Sequence, residues 1–247
     1  MDIKDFFNKN PRAAIAFSGG VDSVYLLYAA VKAGADVRAY FVKSAFQPAF
    51  ELEDARKAAE YAGAELTVIE ANVLSSEVIT SNPKDRCYHC KKVIFGEIMK
   101  AAAADGFTLI CDGTNASDDA SDRPGMKALA ELEVKSPLRE CGLTKQEIRR
   151  LSKEAGLFTW NKPAYACLAT RIPAGEPITA EKLAATEAAE SYMESIGFSD
   201  FRVRRLNGGA KIQVKEDQLS LALEKRAEIT AELKKYYEFV LLDLETR

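Results

Sequence analysis

No apolar run in the chain approaches the roughly 18 residues that a membrane-spanning helix needs, which excludes a helical membrane protein. The opening residues, MDIKDFFNKN, lack the charged, then apolar, then small-residue layout of a signal peptide, so a cytoplasmic location is expected. Neither sign of charge dominates. Lys+Arg 34 against Asp+Glu 37 leaves a net −3, so no global field draws in nucleic acid, although a local basic patch stays open. Five cysteines, an odd number, do not make a disulfide scaffold, and in a reducing compartment clustered cysteines read as ligands or nucleophiles. Internal repeats and low-complexity segments are also missing. What remains is 247 residues, 47% apolar and 29% charged, the profile of a soluble globular protein with room for one large domain or two smaller ones.

From Arg12 to Gly113 strand and helix patterns alternate. RAAIAF, DVRAYFVK, AELTVIEA and FTLICDG read as strands. Between them, DSVYLLYAAVKAG, ELEDARKAAEYAG and YHCKKVIFGEIMKAAAADG read as helices. Such alternation predicts an α/β fold with a doubly wound, Rossmann-like parallel sheet, whose ligands bind at the carboxyl ends of the strands. From about Thr179 the order becomes helix, two strands joined at Gly208-Gly209, a helix over DQLSLALEKRAEITAELKKY and a last strand in YEFVLLDLE. This predicts a smaller α+β domain. The expected division is 1–172 and 173–247, with RIPAGEPIT as the linker.

The stretch AIAFSGGVDSVYLL places Ser18-Gly19-Gly20 between a strand and a helix. Glycines let backbone approach an anion closely, and the free amides of a first helical turn point at it. The loop holds no lysine, so it is not the common P-loop, G-x-x-x-x-G-K-[ST], and γ-phosphoryl transfer is not the expected chemistry. Ser18, Gly19, Gly20 and Ser23 are assigned to phosphate oxygens and Asp22 to Mg²⁺. At the fourth strand end, DGTNASDDASDRPG is too polar for core; Thr114, Asn115 and Asp118 are expected to face the nucleotide and Arg123 to contact an anion.

Cys87-x-x-Cys90 opens a helix, and Cys167 lies far downstream. Redox use, a Cys₃His zinc site with His89, and a 4Fe–4S cluster on three thiolates are the readings these residues allow. Adjacent positions on a helix point about 100° apart, which argues against His89 beside Cys90. Three thiolates leave one iron of a cluster open for an extra sulfide. Cys111 reads as core, Cys141 carries no role, His89 reads as a surface or supporting residue and Trp160 as packing.

FSGGVDS resembles the SGG-x-D-S signature of the PP-loop ATP pyrophosphatases, which cleave ATP to AMP and pyrophosphate while adenylating a substrate. SNPKDRCYHCKK, DGTNASDDASDRPGMKAL, SPLRECGLTKQEIRRLSKEAGL, KPAYACLATRIP and FRVRRLNGGAKIQV extend the likeness to one branch, the LarE family. The resemblance implies an ATP- and Mg²⁺-dependent sulfur transferase acting on a small pyridinium dicarboxylate mononucleotide, in making the nickel-pincer nucleotide. It implies a homo-oligomer and a sulfide donor or sulfur carrier as partner. Some members surrender the sulfur of one cysteine, at the position of Cys167; others, with all three cysteines as here, resemble cluster enzymes. Matching arginines bind the substrate phosphate, which points to Arg202 and Arg204, on one strand face as positions i and i+2 must be. Arg171, four residues after Cys167, is expected to stabilise charge at the acyl centre. A tRNA thiolase of the same superfamily is the first rival reading; a non-catalytic nucleotide-binding protein is the second.

Overall fold

The computed structural model describes residues 1–118 and 124–247. Two compact units divide them: residues 1–73 with 85–162, and residues 74–84 with 163–247.

The first unit holds four strands, β1 (Arg12–Ala16), β2 (Asp36–Lys43), β3 (Glu65–Glu70) and β4 (Ile110–Cys111), all parallel in the order β3-β2-β1-β4. Alternate residues of the central strands enter separate cores. Ala13, Ile15, Ala39 and Phe41 pack with the helices Ile3–Lys9, Val21–Lys32 and Ala49–Ala62. Ala14, Tyr40 and Val42 pack instead with Phe95, Ile98 and Ala102 of the helix Arg86–Ala104. A strand buried on both faces has to be apolar at consecutive positions, which is why these runs read as continuous. The doubly wound parallel expectation holds. The fourth strand is shorter than FTLICDG because its first residues close the preceding helix: Gly106 takes φ +79 and Phe107 N donates to Ala102 O.

In the second unit β5 (Arg202–Leu206) runs antiparallel to β6 (Gly209–Gln213), and β7 (Val240–Leu242) runs parallel to β6. Val203, Ala210 and Ile212 form the apolar face, packed on Ala189 and Met193 of the helix Ala180–Ser195 and on Ile229 and Leu233. Two details differ from expectation. The hairpin loop is Asn207-Gly208, both at positive φ (48 and 85), as a two-residue turn of twist-matching type requires, and Gly209 is the first residue of β6. A Cβ at Gly209 would lie 2.2 Å from the Phe239 ring, so its glycine serves packing. The expected single helix over 217–236 is two, Leu219–Glu224 and Arg226–Leu233.

The expected linker also belongs to the body of the second unit, and the unit boundary falls at 162/163 with 74–84 added. Asn82 is the reason. Fully buried at φ +57, it donates its side-chain amide to Ile172 O (3.3 Å), Pro173 O (2.7 Å) and Glu176 O (3.0 Å), while Gly175 N donates to Asn82 O. A buried amide satisfied this fully ties RIPAGEPIT to the 74–84 segment.

Candidate active site

The carboxyl end of β1 carries the Gly-rich loop. Gly19 sits at φ +69, where a Cβ would come within 3.1 Å of the Ala55 backbone, so only glycine fits. Gly20 caps the helix Val21–Lys32 with no side-chain hydrogen bond. The amides of that first turn are thus left for an anion. The loop is preorganised: the hydroxyls of Ser18 and Ser23 lie 3.1 Å apart, Ser18 N donates to Ser23 Oγ (3.3 Å) and Ser23 Oγ donates to Gly20 O (3.2 Å).

Asp22 lies in the same turn. Its Oδ2 accepts from Lys145 Nζ at 2.5 Å, whereas Oδ1 is buried with no hydrogen-bond partner. Burial pushes the Asp22 carboxyl above the usual carboxylate range and Asp118 adds to this, against the pull of Lys145 and Arg149. A buried, half-satisfied carboxylate beside a second carboxylate is a hard-oxygen donor set, and it fits Mg²⁺.

The end of β4 supplies the facing loop. Buried Asp112 accepts from Thr114 Oγ1 (2.5 Å) and Ser136 Oγ (2.7 Å); Asn115 N donates to Asp118 Oδ2 (3.0 Å), and Ser117 N to Asn115 Oδ1 (2.8 Å). Thr114, Asn115 and Asp118 therefore form a rigid loop beside the Gly-rich one. Arg123 lies outside the described residues. The two loops meet through Gly113, where a Cβ would stand 2.9 Å from Ser23 N. Gly113→Ala is expected to destabilise the fold by about 1–3 kcal/mol, as overpacking does. It should also weaken ATP binding, both measurable by thermal melts with and without Mg·ATP.

Two lysines missed in the sequence stand where the loop itself has none. Lys145 begins the helix Lys145–Glu154 behind the capping box of Thr144 and Glu147 and reaches Asp22. Lys162 pairs with Asp54 (2.6 Å) and lies 3.5 Å from Gly19 O. The capping box was legible; the aim of the lysine beside it was not.

Cys87 and Cys90 share the first turn of the helix Arg86–Ala104, three residues apart and so on one face, Cys87 exposed and Cys90 partly so. His89 pairs with Asp85 (3.5 Å) and packs edge-on to Tyr88. Cys111 is fully buried in the core and its thiol is pushed up to about 12 by burial. Cys141 packs against the same core, and burial raises its thiol. Trp160 carries Lys153 over its ring at 4.7 Å. Among the described residues no three His, Cys, Asp or Glu side chains are gathered as a metal site.

Cys167 belongs to the second unit and precedes the turn Leu168–Arg171. Arg171 is 1% exposed. Its guanidinium donates to both oxygens of Glu190 (2.8 and 3.0 Å), to Ala166 O (2.9 Å) and to Thr170 Oγ1 (2.8 Å). These bonds tie the guanidinium to the Cys167 loop and to Glu190. Arg202 is buried, donating to Ala164 O and Phe201 O (2.5 Å each), and Arg204 donates to Thr170 O (3.1 Å) and Gln213 Oε1 (3.3 Å). Burial, then repulsion from Arg171 and Arg247, brings Arg202 down to about 10 and lowers Arg204 also. Cations so crowded and desolvated are stabilised by an anion.

The parallel strand order and the glycine loop that leads from β1 into a helix start define a Rossmann-like α/β protein, and the arrangement is consistent with a PP-loop domain. No family model matches the chain. It is 34% identical to the pyridinium-3,5-bisthiocarboxylic acid mononucleotide synthase of Lactiplantibacillus plantarum, over 94% of this chain and 86% of that protein. Its identity to an uncharacterized protein of Synechocystis is also 34%, over 99% of this chain and 92% of the other. The tRNA-specific 2-thiouridylase MnmA of Thermotoga petrophila is 26% identical over 61% of this chain and 54% of its own length. The chain belongs to the LarE family, whose Lactiplantibacillus member is that mononucleotide synthase.

Proposed function

We propose that the protein is an ATP-dependent sulfur transferase that converts a carboxylate of pyridinium-3,5-dicarboxylate mononucleotide to a thiocarboxylate. The observation that carries this reading is the loop at Ser18–Ser23, with its open helical amides and the unpartnered Oδ1 of Asp22. A carboxylate is a poor electrophile. Its oxygen attacks the α-phosphorus of ATP, pyrophosphate leaves, and the resulting acyl-adenylate accepts a sulfur nucleophile at carbon as AMP departs. The Gly-rich loop grips the leaving pyrophosphate through backbone amides, Ser18 and Ser23, while Asp22 holds Mg²⁺ on it. Arg202 and Arg204 hold the substrate's phosphate. Cys87, Cys90 and Cys167 are the residues that would hold a 4Fe–4S cluster, thiolate being the ligand that such clusters take. When bound, such a cluster supplies sulfide to the acyl carbon.

Pyrophosphate release from Mg·ATP that depends on a carboxylate-bearing pyridine mononucleotide tests the reading. Asp22→Ala is expected to slow it by about a hundredfold or more, since a metal clamp is worth several kcal/mol; release at the wild-type rate would remove Asp22 from the chemistry. The raised Asp22 pKa adds a stability signature. A carboxyl with a folded pKa above its unfolded one contributes stability at acid pH that is lost as pH rises through the folded value. Without nucleotide or Mg²⁺, Asp22→Asn should therefore melt no lower than wild type at neutral pH, with the difference shrinking toward acid. Mg·ATP should raise the Tm of wild type alone. Tight, salt-sensitive tRNA binding would instead favour the thiolase reading that the MnmA likeness supports.

A further inference from the structure

Three arginines of the second unit, Arg171, Arg202 and Arg204, are bonded to the loop that carries Cys167. Residues 164–171 hang from Arg202 at Ala164 O, from Arg171 at Ala166 O and from Arg204 at Thr170 O (3.1 Å). The Thr170 hydroxyl closes the turn by donating to Cys167 O at 2.8 Å while accepting from Arg171. Tyr165, two residues before the cysteine, lies against two guanidinium groups, Arg171 at 4.7 Å and Arg202 at 5.3 Å from its ring centre. Its hydroxyl donates to Glu190 Oε2 (2.6 Å), and Glu190 Oε1 accepts from Val203 N of β5 (2.9 Å).

We propose that recognition of the substrate's phosphate and positioning of Cys167 are a single event, with Tyr165, Arg202 and Arg204 as the positioning residues that join them. This rests on the assignment of Arg202 and Arg204 to that phosphate. A guanidinium has five N–H donors, so each of these arginines can keep its loop carbonyl and still bind a phosphate oxygen. The anion offsets the repulsion that Arg171 and Arg247 exert on Arg202 and Arg204, and Glu190, Asp200 and Asp243 supply the counter-charges already present. With the guanidinium groups fixed by phosphate, the carbonyls on either side of Cys167 are fixed too. Substrate without its phosphate would occupy the site and leave the cysteine loosely held. Sulfur would then reach the acyl carbon poorly, and adenylate would be lost to water.

The test is peptide-resolved hydrogen exchange over residues 163–172 of the whole protein. It is run with nicotinic acid mononucleotide, its phosphate-free nucleoside and inorganic phosphate, with binding of each followed by calorimetry. The mononucleotide is expected to slow exchange of the loop by about tenfold, the equivalent of one bond to a charged group, and the nucleoside to leave it unchanged. Protection by inorganic phosphate alone would place the effect in the anion. Tyr165→Leu should still bind the mononucleotide yet lose the protection, and should release pyrophosphate with less thiocarboxylate per turnover; Tyr165→Phe, which keeps the ring, should retain most of both. Mononucleotide binding with unchanged loop exchange would overturn the inference while leaving the substrate assignment intact. No binding of mononucleotide or phosphate would overturn that assignment and the inference with it.

Discussion

Replacing Arg202 and Arg204 together by alanine is expected to raise the KM for the mononucleotide by about a hundredfold or more, because each bond from a charged group to phosphate is worth about 1.5–3 kcal/mol. The KM for ATP should stay near its wild-type value, since the Gly-rich loop belongs to the other unit. The contrast between the two constants is the informative quantity. Both arginines sit on the polar face of the small sheet, opposite Gln213 and Lys211, while the apolar face keeps its own core. Removing two desolvated cations also removes their repulsion with Arg171 and Arg247, so the double variant is expected to fold. The loss of the Ala164 and Thr170 bonds should lower kcat as well. An equal loss for mononucleotide and ATP, with a lowered Tm, would mark a folding defect and contradict the assignment. Arg202→Lys with Arg204→Lys should recover only part of the affinity, as an ammonium cannot reproduce the planar fork.

The alternation of strands and helices was legible because a strand covered on both faces is apolar at successive positions, and Ala13 to Ile15 and Ala39 to Val42 are. The Gly-rich loop was legible for a local reason: turn, backbone approach and helix start lie within six residues. What escaped depends on distant partners. Lys145 meets Asp22 across 123 positions, and nothing in TKQE beyond the cap announces it. Arg171 was expected at the acyl centre from its place four residues after Cys167, and its pairing with Glu190, 6% exposed and 19 positions on, was not legible in EAAESY. The hairpin was misplaced by one residue because Gly208-Gly209 offers a turn as readily as Asn207-Gly208; Phe239 packing on Gly209 decides between them. The same distance problem hid the tie between Asn82 and RIPAGEPIT, which lies with 74–84 in the second unit.

In the proposed function sulfur passes through three cysteines rather than from one. The proposed adenylation uses none of the cysteines, so Cys87→Ala, Cys90→Ala and Cys167→Ala should each still release pyrophosphate. If Cys87, Cys90 and Cys167 together hold the sulfur-delivering cluster, loss of any ligand stops delivery. Sacrifice of the Cys167 sulfur predicts a different pattern, because Cys87 and Cys90 would be dispensable for a single thiolation per chain. The deciding measurement is anaerobic: pyrophosphate and thiocarboxylate yields for wild type and each single variant, with the intact mass of the protein recovered after turnover. Delivery through a cluster predicts pyrophosphate without thiocarboxylate in all three variants and an unchanged wild-type mass. A wild-type protein lighter by one H₂S, with Cys87→Ala still yielding one thiocarboxylate per chain, would contradict it.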